Sequence, residues 1–137
     1  MITKQGKGGY MKRSLCLVIA IAAIICFGWY RQNKYLEKTY TEASRHLYII
    51  GDDLARRDYP GAEASVKRYI KFWEKTDDIL SMFVSHDDID KISLQNARLK
   101  AGLDDEGEAE SLAVIGELYE GIKELNSKFK VNIKNIL

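Results

Sequence analysis

Apolar residues fall along this chain in two different patterns. From Ser14 to Tyr30 no charged side chain interrupts Leu15, Leu17, Val18, Ile19, Ile21, Ile24, Ile25 and Phe27, and the run closes on Trp29 and Tyr30. Beyond Arg31 the apolar positions are instead spaced by alternating fours and threes, through Leu36, Tyr40, Ala43, Leu47, Ile50 and Leu54. The first pattern is apolar on every side, as lipid demands of a helix. The second is one stripe, which faces other helices.

The uncharged run of 17 residues makes roughly 25 Å of helix, the short end of a bilayer span. Interfacial Trp29 and Tyr30 and the long side chains of Lys12, Arg13 and Arg31 extend its reach. A buried core helix would carry a polar stripe in a chain this small. A cleaved secretory signal is the stronger competitor, because Met11-Lys12-Arg13 ahead of an apolar run resembles its first two regions, with Met11 as the start. Yet the Ala20-Ile21-Ala22 triplet lies mid-run, and bulky Phe27, Trp29 and Tyr30 stand where cleavage would fall, so a retained anchor is expected. Lys4, Lys7, Lys12 and Arg13 precede the span, against Arg31, Lys34, Lys38 and acidic Glu37 after it. The positive-inside rule therefore predicts a single-pass protein of the cell membrane, N-terminus cytoplasmic and the remainder extracytoplasmic.

The stripe that begins at Leu36 stops at Asp58-Tyr59-Pro60-Gly61, where proline ends one helix and suits the first turn of the next, with Asp58 or Tyr59 at the cap. A second seam follows through Ala62, Val66, Tyr69, Trp73, Thr76, Leu80 and Phe83. Ser85 and Asp88 resemble a capping box opening a third helix, through Ile89, Ile92, Asn96, Leu99 and Leu103. Gly102 to Gly107 breaks it, and a fourth runs through Ala109, Leu112, Ile115, Tyr119, Ile122 and Leu125. Phe129 to Ile133 alternates apolar and polar, which predicts an extended tail. The expected fold is all-α: a transmembrane helix continuous with an up-down-up-down four-helix bundle, then a short extended C-terminal tail. The boundaries are 1–13 for a cytoplasmic tail, 14–30 for the bilayer span, 31–127 for the bundle and 128–137 for the tail. In that topology the Pro60 and Asp105 turns are distal, and Lys128, Lys130 and Lys134 return toward anionic headgroups, unless they are simply solvated.

Charge narrows the partners. The whole chain carries a formal net charge of +1, and no acidic residue precedes Glu37. From Arg31 onward 17 basic residues face 20 acidic ones, without the basic excess that neutralising nucleic-acid phosphates requires. Residues 31 to 71 hold nine basic and six acidic side chains, and residues 74 to 124 hold five and fourteen. Cys16 and Cys26 are the two cysteines; on one helix they lie about 15 Å apart along the axis and cannot pair. Leu15 and Ile25 precede them in place of the small residue that lipid attachment needs.

Candidate chemistry is sparse. His46 and His86 are the two histidines, too few for a carboxylate-bridged metal bundle, and neither lies in a Glu-x-x-His pair. Glu42 with His46, and the run His86 to Asp90, read as surface helix pairing and charge at a helix start; the run lacks the glycine and final glutamate of a calcium loop. Gly6-Lys7-Gly8-Gly9 has neither a preceding strand nor a following Lys-Ser/Thr, so a flexible tail is expected there. No nucleophile elbow occurs. No catalytic residue, metal site or cofactor is therefore predicted. Tyr69, Phe72, Trp73 and Phe83, with Tyr40, Tyr48 and Tyr119, either form ordinary core or line a pocket between helices. Asn96 either fixes helix register from within a seam or, more simply, is exposed.

The N-terminal anchor, the Trp73-Glu74 pair in mid-helix, the helix from Ile92 to Ala101 and the closing Asn135-Ile136-Leu137 resemble the bacterial family labelled domain of unknown function 4363. The resemblance spans nearly the whole chain and implies a small membrane-anchored helical protein with no activity or site residue to carry over.

Two functions are in view. One is a non-enzymatic accessory or scaffold protein whose bundle docks onto another membrane or envelope protein. Its candidate docking residues are Asp104, Asp105, Glu106, Glu108 and Glu110, since a helix dipole is satisfied by one or two carboxylates and the rest form a negative patch. The other is a bundle that binds or senses a small ligand.

Overall fold

The computed structural model describes residues 4–105 and 107–134, with side chains for 8–103, 107–128 and 130. These residues form four helices: α1 (Lys4–Ala55), α2 (Tyr59–Leu80), α3 (His86–Asp105) and α4 (Gly107–Lys134). No strand occurs among them. The chain divides into two units, residues 1–35 and 36–137.

In the first unit the helix is apolar all round. Leu15, Leu17, Val18, Ile19, Ile21, Ile24, Ile25, Phe27, Trp29 and Tyr30 are each between 38% and 71% exposed. The helix is long and apolar enough to cross a membrane, and none of its most apolar stretch is buried. Where the run ends, the Arg31 guanidinium stands 5.9 Å from the centre of the Phe27 ring and the Lys34 ammonium 5.1 Å from that of Tyr30, so cations cap an aromatic border. Helix begins already at Lys4, which corrects the flexible tail expected at Gly6 to Gly9. Without a proline to stop it, a helix nucleated by the apolar run extends by one hydrogen bond for each residue added.

In the second unit each helix gives one stripe to a shared core. Leu47, Ile50 and Leu54 of α1 are buried with Val66, Tyr69, Trp73 and Leu80 of α2, Ile89, Ile92 and Leu99 of α3, and Val114, Leu118, Ile122 and Leu125 of α4. Cross-helix contacts give the order around the bundle. The His46 ring lies 5.1 Å from Phe72 and 6.2 Å from Tyr69, joining α1 to α2. Tyr69 and Trp73 donate to Asn96 and Ser93, joining α2 to α3. Arg98 pairs with Glu110 and Glu117, joining α3 to α4. Tyr40 meets Tyr119 hydroxyl to hydroxyl at 3.1 Å, closing α4 onto α1. At one end Tyr59 reaches Glu108; at the other Lys130 reaches Glu37 and Lys128 reaches Asp88. Neighbouring helices thus run antiparallel, as short connections require.

The α1–α2 turn follows from its local chemistry. The amides of Arg57 and Asp58 close back onto the carbonyls of Leu54 and Asp53, and Arg57 takes φ 58°, a C-terminal motif that more often uses glycine. Asp58 then caps α2, its Oδ1 accepting from the Gly61 amide at 3.0 Å, with Pro60 in the first turn where its missing N–H is harmless. A Cβ at Gly61 would strike that carboxylate. Between α3 and α4 the left-handed residue is Gly107, φ 83°.

The extended tail expected over 128–137 is corrected: α4 continues to Lys134, and residues 135–137 lie outside the described residues. The five-residue alternation at Phe129 to Ile133 contains no breaker, so the established helix propagates through it. Ion pairs fix the lysines near that end. Lys128 holds both Asp88 and Glu124, and Lys130 lies 3.6 Å from Glu37. Lys128 and Lys130 thus have acidic partners in the bundle while their side chains stay about half exposed; the Lys134 side chain is outside the described ones.

Candidate functional site

The aromatic residues do not converge on one pocket. Tyr69 and Trp73 are core, at 0% and 4% exposure, whereas Phe72 packs on His46 and Tyr48 points outward. Asn96 is buried, which corrects the exposure expected of it. Its Oδ1 accepts from the Tyr69 hydroxyl at 2.7 Å while its Nδ2 has no partner. Burial raises the Tyr69 pKa, and the bond to Asn96 offsets this in part, so the phenol stays protonated as a structural donor.

The acidic end is partly committed inside the bundle. Arg98 spreads its fork over α4, Nη2 donating to Glu110 at 2.9 Å and Nη1 to Glu117 at 3.0 Å. Glu108 accepts from Tyr59 at 3.5 Å. The side chains of Asp104, Asp105 and Glu106 lie outside the described ones. Among the described residues no three His, Cys, Asp or Glu side chains gather as a metal site would require. Glu42 stands next to Lys38.

The feature with the strongest form is a groove of about 780 Å³ between α1 and α4. It exists because α4 carries more apolar surface than the core uses. The stripe that enters the core is Ser111, Val114, Leu118, Ile122 and Leu125. The neighbouring stripe, Leu112, Ile115 and Tyr119, sits one residue further round the helix and lines the groove, with Leu112 40% and Tyr119 39% exposed. This corrects the α4 seam read from spacing, which took those three as core. On α1 the groove is bounded by Ser44, Tyr48 and Gly51, and Tyr48 stands 73% exposed beside it. At Gly51 and Gly116 the place of a Cβ is open space, with nothing within 4 Å. The Ser44 hydroxyl has no hydrogen-bond partner. Its walls carry the Ser44 hydroxyl, Asp52, which is paired with Arg56 at 2.7 Å, and Glu120 among mostly apolar side chains, a surface fitted to bury side chains.

A family model described as a domain of unknown function, DUF4363, matches residues 30–136, which is the whole bundle. The chain belongs to this family. No curated protein and no solved structure matches it significantly. The DUF4363 match begins at Tyr30, where the apolar run ends, so residues 14–29 of the run lie outside the matched region while the groove, the Arg98 fork and the Tyr69–Asn96 pair lie inside it.

Proposed function

We propose that this DUF4363 protein is a non-enzymatic, membrane-anchored accessory protein whose bundle docks onto another membrane or envelope protein. The observation that carries the reading is the apolar run of α1, exposed from Leu15 to Tyr30 ahead of a bundle that buries its own seams: such a surface is stable in lipid. The N-terminus is cytoplasmic in this reading and the bundle extracytoplasmic, as the four basic residues ahead of the run favour. Docking is supported by charge polarity, with five basic and fourteen acidic residues over 74–124, a field that steers and orients a basic partner. Small-ligand binding is less well supported, because a ligand site encloses most of its ligand and the α1–α4 groove is open.

The test is affinity capture of the full-length protein from membranes, comparing the natural chain with a triple variant, Asp105→Asn, Glu108→Gln and Glu110→Gln. Glu108 and Glu110 are half-buried, and their bonds to Tyr59 and Arg98 lie at the surface, where a pair contributes about 0–1 kcal/mol, so helicity should be unchanged. Capture of the partner should fall, and the difference should narrow as salt rises. Equal capture at every ionic strength would remove the acidic end from the docking surface.

A further inference from the structure

The α1–α4 groove carries an inference that goes beyond docking at the acidic end: we infer that it is the contact face of a twofold homodimer, occupied by the same face of a second copy. Residues 44–52 of α1 and 112–120 of α4 border the groove. The two helices run antiparallel, so these windows oppose each other end to end and centre on Tyr48 and Gly116. A twofold axis parallel to the helices sets α1 of one copy against α4 of the other at the same level. Tyr48, which stands 73% exposed, then faces Gly116 of the second copy, where the place of a Cβ is open space. An aromatic knob meets a glycine hole, and it does so twice.

Charge matches in the same arrangement. Arg45 shares the exposed α1 row with Tyr48, three residues on, and in this register stands within one residue, about 1.5 Å along the axis, of the level of Glu120. Both are exposed, and neither forms an ion pair among the described residues. The twofold brings Arg45 of each copy to Glu120 of the other. With Asp52, the other charged residue of the lining, already held by Arg56 at 2.7 Å, the Arg45–Glu120 pairing makes the face self-complementary in sign. Its modest size is compatible with association where copies share one bilayer and are already concentrated.

The experiment co-expresses two differently tagged full-length copies, solubilises the membranes in mild detergent, and measures how much of one copy is captured with the other. Natural copies should co-capture. Gly116→Trp fills the hole and should lower capture about tenfold, as should Arg45→Glu or Glu120→Arg when each is paired with itself, because two attractive pairs become repulsive. Arg45→Glu paired with Glu120→Arg should recover capture, since both crossed pairs are again opposite in sign. All three positions are exposed, and unchanged helicity and melting would exclude misfolding. Absence of capture between natural copies, indifference to Gly116→Trp, or charge reversals that neither weaken nor rescue would each overturn the dimer. The docking reading is scored separately by the acidic-end variant, so either can fail alone.

Discussion

Tyr69 and Asn96 show how one buried pair sets the terms for its neighbours. Tyr69 is fully buried and Asn96 is 4% exposed, so neither can turn to water if its partner is removed. Asn96→Leu leaves the phenol without an acceptor, and Tyr69→Phe leaves the amide wholly unpaired; each should cost about 1–3 kcal/mol, the penalty for stranding a buried polar group. Removing both should be far less damaging, bringing the double variant to within about 1 kcal/mol of the natural protein. Urea unfolding of a fragment beginning at Arg31 measures all three. Additive losses would mean that shape, and not the hydrogen bond, governs the site. Asn96 was legible as a seam residue from its spacing with Ile92 and Leu99. Its burial was not, because the acceptor it supplies is to a tyrosine 27 residues away and nothing local records that contact.

Helices differ in how openly their spacing declares the buried face. On α1, α2 and α3 a single apolar stripe leaves one choice, and Leu47, Val66 and Leu99 are buried as spacing requires. On α4 two stripes compete, and the core takes the one containing Ser111 and Val114, leaving the bulkier Leu112, Ile115 and Tyr119 for the groove. Volume accounts for the choice only at the Gly107 end, where Ser111 and Val114 are smaller than Leu112 and Ile115 beside them; further along, the buried Leu118, Ile122 and Leu125 are as large. The groove was therefore hidden by the same ambiguity that displaced the predicted seam. The acidic end was fully legible as charge, but its Arg98 fork was not, since the fork joins residues brought together only by folding.

The α1–α2 pairing also carries a titratable group, His46. Its pKa is lowered, chiefly by burial against Phe72 and Tyr69, then by Arg45, with Arg68 adding to the effect and Glu42 opposing it. A histidine that resists protonation in the folded state binds fewer protons than the unfolded chain does. Stability should then be fully present above the ordinary value of 6.5 and should fall as pH drops through and below it. Melting temperature of the Arg31 fragment across pH 8 to about 5 measures the effect, with His46→Phe as control. The variant should flatten the acid limb; an unaltered limb would assign the loss to other groups.

At the scale of the whole molecule, magnitudes decide what would hold the protein to a membrane in the proposed reading. Leu15, Leu17, Val18, Ile19, Ile21, Ile24, Ile25 and Phe27 are all more than half exposed, and each contributes about 1.5–3 kcal/mol when fully buried. Even with partial burial their sum is on the order of 10 kcal/mol. Each basic residue near an anionic surface adds only about 1 kcal/mol, and salt screens it. The apolar term therefore dominates, and attachment should be insensitive to the washes that strip electrostatically bound proteins. We expect the full-length chain to remain in the membrane fraction through high salt and alkaline carbonate and to leave only with detergent. Replacing Ile19 and Ile24 with lysine should release it, since a charge near mid-bilayer costs about 2.5–3.5 kcal/mol at the least and two of them offset most of the apolar gain. Mass measurement of the membrane-bound species checks the other half of the claim. If the recovered protein is soluble and begins shortly after Phe27, the run acts as a cleaved signal, and the groove and the acidic end would then belong to a secreted bundle.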